Sequence, residues 1–119
     1  MIEASCHCGA VRLAAPRPEW VSNCNCSICR RLGAWWAYCS PDQASVTAAP
    51  EAFGAYSHGD RMIAFHHCRT CGCTTHWTSL RADYSDRMAV NARLFAPADM
   101  VGVRVRRFDG AVSWTHLDP

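Results

Sequence analysis

Hydrophobic residues run along this chain in short β-prone stretches, broken at close intervals by proline, glycine, aspartate or serine. That texture predicts a mainly β domain, because short runs between turn formers suit half-buried strands rather than long amphipathic helices. Strands are predicted over 10–14, 20–23, 34–39, 45–47 and 53–57, then over 62–67, 74–80, 88–93, 103–108 and near 113–115. His58-Gly59-Asp60 reads as a hairpin turn between two of these strands. Pro16 and Pro18 mark an exposed loop after the first. Helix is predicted only in two short pieces, 27–32, stopped by Gly33, and 98–101. No repeat or low-complexity linker divides the sequence, so residues 1–119 read as a single domain.

Onto this pattern the cysteines impose a second one. Seven of nine fall into three tight clusters: Cys6 with Cys8, Cys24 with Cys26 and Cys29, and Cys68 with Cys71. Cysteines this close can aim their sulfurs at one ion about 2.3 Å away, whereas a disulfide draws its partners from more distant backbone. Gly9 and Gly72 follow two of the clusters, where the chain must turn sharply around a metal. Cys6, Cys8, Cys68 and Cys71 together make one tetrahedral four-sulfur site, read as structural zinc. Closing so long a loop with one ion suits a small domain. A redox dithiol at Cys68 and Cys71 is the rival, but no thioredoxin-like helix start surrounds them.

The middle triplet has three sulfurs, and two readings stay open. Cys73, Cys39 or a histidine completes a second structural site, or the fourth position serves solvent or substrate. With Cys26 and Cys29 three residues apart at a helix start, both sulfurs share one face beside the positive helix end, which favours thiolate. Three thiolates donate so much charge that zinc there activates water poorly and captures a substrate sulfur instead. Carbon–sulfur chemistry is therefore expected over hydrolysis.

Among other candidates, His76 is the acid–base residue that titrates nearest neutrality, weighed against a hydrogen-bonded structural histidine. In a strand over 74–80, Cys73, Thr75 and Trp77 share one face, and Thr74, His76 and Thr78 the other. Trp35, Trp36, Trp77 and Trp114 read as core, one of them available to wall a pocket. Arg93 reads as a surface arginine or a carboxylate anchor.

Composition narrows the partners. All 12 basic side chains are arginine, scattered rather than striped, and the formal charge is +2. Ionising seven cysteines around two zinc ions moves that to about −1. A nucleic-acid footprint is not expected, nor is a membrane-spanning run. The first residues lack a basic and apolar signal pattern, which predicts a cytoplasmic, thiol-reducing setting.

Three segments carry a resemblance: Cys6-His7-Cys8-Gly9-Ala10-Val11, Cys24-Asn25-Cys26-Ser27-Ile28-Cys29-Arg30-Arg31, and Phe65-His66-His67-Cys68-Arg69-Thr70-Cys71-Gly72. Together they resemble the glutathione-dependent formaldehyde-activating enzyme family, which includes centromere protein V. The resemblance implies an Mss4-like β-tent with zinc-ribbon-type knuckles. It implies a structural zinc on Cys6, Cys8, Cys68 and Cys71 and a catalytic zinc on Cys24, Cys26 and Cys29. It further implies carbon–sulfur lyase activity of the S-(hydroxymethyl)glutathione synthase type, with a small thiol and an aldehyde as partners. The alternatives are a non-catalytic two-zinc interaction module and a thiol or zinc redox sensor.

Overall fold

A computed structural model describes residues 1–119. Strands β1 (Ile2–Ser5), β2 (Arg12–Ala15) and β5 (Ser45–Thr47) form a three-stranded antiparallel sheet in the order β1-β2-β5. The remaining strands are β3 (Trp20–Cys24), β4 (Trp36–Cys39), β6 (Phe53–Tyr56), β7 (Ile63–Cys68), β8 (Thr74–Ser79), β9 (Met88–Asn91), β10 (Arg104–Asp109) and β11 (Thr115–His116). They form an eight-stranded sheet in the order β11-β10-β3-β4-β9-β8-β7-β6. Pairing within it is antiparallel except between β10 and β3. The fold is the mainly β, Mss4-like tent that the cysteine motifs implied, with a single short α-helix, α1 (Ser27–Leu32).

Alternation along the strands gives the large sheet two different faces. Val21, Ala37, Met88 and Val90 point toward the small sheet and pack with Ile2, Leu13 and Ala15. Cys24, Trp36, Phe65, Trp77 and Ala89 point the other way, where α1 contributes Cys29. Cross-strand register makes the division explicit. Tyr38, Ala89, Trp77 and Phe65 stand in one row, and Ala37, Val90, His76 and His66 in the adjacent row. Adjacent rows face opposite sides of the sheet. Every side chain's access to a site on one face is thus set by its parity.

Several predicted boundaries move for local reasons. The strand predicted from residue 10 starts at Arg12, because Val11 is tied into the first knuckle by hydrogen bonds with Cys6. Strand β1 was not among the predicted strands; its four residues carry only a brief in–out pattern. The run predicted over 88–93 stops at Asn91, whose side-chain oxygen accepts from Arg93 N (3.1 Å) and caps a 3-10 turn over Ala92–Leu94. The helical piece predicted over 98–101 is a 3-10 turn at Pro97–Met100, where proline fixes the first residue. No helix is long and apolar enough to cross a membrane.

Candidate metal centre

The first cysteine pair follows β1, and the third cluster spans the end of β7 and the turn into β8. The four sulfurs of Cys6, Cys8, Cys68 and Cys71 all lie within 4.8 Å of one another. Cys6 Sγ and Cys8 Sγ are 3.7 Å apart, and Cys8 Sγ and Cys68 Sγ 3.6 Å. Sulfurs at about 2.3 Å from a tetrahedral ion stand about 3.8 Å apart, so the quartet has the dimensions of a metal cage. Gly9 at φ +83° and Gly72 at φ +80° make the left-handed turns that bring each chain back under its sulfurs. Backbone N–H groups point at the ligands: Val11 N lies 3.3 Å from Cys6 Sγ, and Thr70 N 3.4 Å from Cys68 Sγ. Such donors stabilise thiolate. For Cys71 the N–H groups of Cys73 and then Cys8 hold the pKa down to about 5.

The second cluster is assembled where β3 runs into α1. Cys24 ends the strand, Cys26 is the residue before the helix, and Cys29 lies in its first turn. Cys26 itself caps the helix, its sulfur accepting from Cys29 N at 3.4 Å. Gly33, at φ +67°, closes the far end with a bond to the Cys29 carbonyl. All three sulfurs lie within 4.8 Å of one another, so the triplet too can gather around an ion.

Five contacts from outside the loop fix the triplet. Trp36 Nε1 donates to Cys29 Sγ at 3.3 Å. Gly110 packs so closely that a Cβ there would stand 2.6 Å from Cys24 Sγ. Asn25, between two of the cysteines, donates from Nδ2 to Asp109 Oδ1 (3.0 Å) and accepts from Ala111 N (3.0 Å). Its backbone N–H bonds the Phe108 carbonyl at 3.1 Å. The turn between β10 and β11 is thereby locked against the metal-binding loop.

Electrostatics couple Cys24 and Cys29. The Cys29 thiol, donating to Cys24, is the main cause that brings the Cys24 pKa down to about 6. Cys29 is correspondingly pushed far above the ordinary thiol range, first by that pairing and then by burial. Ionising all three thiols in this site would need a positive partner, and a divalent ion ionises coordinating thiols outright. The donor set of both clusters, soft sulfur in close tetrahedral-type packing, fits zinc.

Other predicted residues fall in different places. His76 is 4 % exposed and stands on the sheet face opposite Cys24 and Trp36. It stacks on His66 with ring centroids 4.4 Å apart, and its Nδ1 lies 2.8 Å from Thr75 Oγ1. Burial, then His66, holds its pKa down to about 3. The sheet lies between it and the triplet. Cys73 lies beside the quartet, packed against Cys6, Val11 and Cys68, and not among the triplet's sulfurs. The structure places this candidate fourth ligand beside the outer quartet, because the turn after Cys71 carries it back over the first knuckle. Cys39 packs on the opposite face, against the core between the sheets. Trp114, expected in the core, is 71 % exposed and rests edge-on against Phe108 at 5.1 Å. Arg93 covers the Trp35 ring at 4.3 Å.

Polar groups that the sequence did not single out occupy the triplet's own face. Ser22, two residues before Cys24 and fully buried, has its Oγ 3.5 Å from His116 Nε2. Tyr38 lies on the row that includes Trp77 and Phe65. Its hydroxyl pKa is raised, mainly by desolvation, although 47 % of the residue is exposed.

The profile of the family described as glutathione-dependent formaldehyde-activating enzyme matches residues 1–108. The chain belongs to this family. A Halomonas elongata protein provisionally described as a glutathione-dependent formaldehyde-activating enzyme is 30% identical over 77 residues. That alignment covers 63% of this chain but 45% of the relative, so the chain matches under half of that protein's length. A crystal structure of a Rhodobacter sphaeroides protein superimposes with a TM-score of 0.71 at 30% identity, covering 87% of this chain and 99% of the other. Within the glutathione-dependent formaldehyde-activating enzyme family match fall all three cysteine clusters; it ends at Phe108, just short of Gly110.

Proposed function

We propose that this protein is a zinc-dependent carbon–sulfur lyase acting on a thiol–aldehyde adduct of the S-(hydroxymethyl)glutathione type, with the triplet as its active site. One observation carries the proposal: four protein sulfurs gather at one centre and three at the other, while Cys73, Cys39 and His76 all lie elsewhere. Cys6, Cys8, Cys68 and Cys71 would hold a structural zinc, and Cys24, Cys26 and Cys29 the reactive one. Zinc at the triplet supplies a soft electrophile able to hold a substrate sulfur as thiolate at neutral pH.

The chain's own residues supply the rest. The Trp36 N–H and the N–H groups of Cys26 and Cys29 draw charge from the three cysteine sulfurs, which preserves affinity for an incoming donor. Aromatic walls from Trp36, Phe65 and Trp77 keep the surroundings dry, which strengthens every polar contact inside. In the synthetic direction the substrate sulfur forms a bond to the aldehyde carbon, and the carbonyl π pair takes a proton. In the lyase direction that proton leaves, and the carbon–sulfur pair returns to sulfur. Tyr38 offers the hydroxyl on this face for that oxygen, its own acidity suppressed so that it stays a donor.

A second reading, a two-metal module that binds a protein partner, draws support from exposed Val112, Trp114 and Leu117 around the last strand. Exchange spectroscopy separates the two. Mixing glutathione and formaldehyde with the protein should accelerate adduct interconversion seen by NMR. Cys26→Ser should abolish that acceleration and remove one zinc while the fold persists, because serine also caps a helix. Outright unfolding of Cys26→Ser, or no acceleration by the parent protein, counts against the enzyme.

A further inference from the structure

The outer centre carries five thiols for four positions. Cys68, Cys71 and Cys73 share one tight turn, closed by Cys68 N to the Cys73 carbonyl at 2.9 Å and Gly72 N to the Cys68 carbonyl at 2.9 Å. Cys71 and Cys73 both pack against the buried group of Cys6, Val11 and Cys68. Cys73 is therefore held on the same buried group as Cys71, two residues further along the same turn. Only Cys71 belongs to the four sulfurs that lie mutually within 4.8 Å. The fifth thiol is thus carried on the turn that bears Cys71, and Gly72 between them has no side chain to obstruct a rotation.

We propose that Cys73 is a reserve ligand of the outer metal centre, able to replace Cys71. In the exchange the bond from Cys73 sulfur to the ion forms as that from Cys71 breaks, and the Cys73 thiol proton passes to the departing Cys71 sulfur. Four thiolates surround the ion before and after, and nothing is oxidised or reduced. Cys6 and Cys68 are fully buried, Cys68 at the end of β7, and Cys8 stands on the other knuckle, so the exchange concerns Cys71, which shares its turn with Cys73. This inference concerns the outer centre alone and stands whether or not the triplet is catalytic.

The test is zinc content by mass spectrometry and thermal melting of Cys73→Ser, Cys71→Ser, the double variant and Cys68→Ser, with cobalt substitution to read sulfur-to-metal charge-transfer intensity. Cys73→Ser and Cys71→Ser should each keep the parent's zinc content and its charge-transfer intensity. The double variant should lose one equivalent of zinc and melt far below either single variant, as Cys68→Ser does. A Cys71→Ser protein that loses the ion or fails to fold as Cys68→Ser does overturns the proposal. So does a double variant that keeps the ion, since a non-cysteine ligand then suffices.

Discussion

Asn25 and Asp109, 84 residues apart in the chain, meet through a 3.0 Å hydrogen bond that fastens the last hairpin onto the loop bearing Cys24 and Cys26. This latch explains why Gly110 can lie flat against the Cys24 sulfur. It also makes the end of the chain part of the metal-binding architecture.

The first prediction concerns that contact. Cys24 is 7 % exposed and fixed at a strand end, so it cannot yield to a new methyl group 2.6 Å from its sulfur. Gly110→Ala should cost about 1–3 kcal/mol in the metal-bound state, as overpacking does, and weaken the triplet's zinc about 10- to 100-fold. Chelator competition should show one ion released early and the outer ion unaffected. Equal release of both ions would refute the contact's role.

Trp36 supplies the second. Trp36→Phe keeps most of the buried ring but removes the N–H bonded to Cys29 Sγ. Loss of a hydrogen bond to a charged sulfur should cost about 1.5–3 kcal/mol in the zinc-loaded protein. With the metal stripped the cost should shrink, since Cys29 is then a neutral thiol; paired thermal melts of the two forms measure the difference.

His76 sets an acid limb on stability. Its folded pKa is depressed to about 3 from an ordinary value near 6.5, so between those values the unfolded chain binds a proton that the folded one refuses. Stability is full above about pH 6.5 and falls as pH drops toward 3, at up to about 1.4 kcal/mol per pH unit. Cysteine protonation adds to this slope in every variant. His76→Gln should therefore show a shallower acid limb than the parent in denaturant titrations run at several pH values.

Tyr38 tests the assignment of the polar group on the active face. Tyr38→Phe should lower adduct exchange about 100-fold with both zinc ions retained, whereas His76→Phe should leave exchange near the parent rate. The reverse ranking would return the acid–base role to the far face of the sheet.

Chemistry was far more legible in the sequence than placement. Spacing alone singled out the seven cysteines whose sulfurs the fold gathers into two clusters, since Cys6/Cys8, Cys24/Cys26/Cys29 and Cys68/Cys71 are local groupings. Helix α1 was legible for the same reason: Gly33 stops it just where the left-handed cap is needed. The surroundings of His76 and Cys73 were not legible, because their neighbours depend on sheet order, which local pattern does not encode. The β8 pairing puts His76 in the row of Val90 and His66, away from the metal. A register shift between His66 and His67 further disturbs simple alternation near Thr74. Gly110, Asn25 and Asp109 left little local trace beyond a turn-forming Asp-Gly pair, because their roles arise from the parallel pairing of β10 with β3.

A crystal structure of the zinc-loaded protein soaked with a small thiol, with zinc located by anomalous scattering, tests the unequal filling of the two centres most directly. The thiol's sulfur should lie about 2.3 Å from the ion held by Cys24, Cys26 and Cys29, with the other ion enclosed by four cysteine sulfurs alone. A side chain of this protein as fourth ligand at the triplet, with the soaked thiol bound nowhere, would contradict the account.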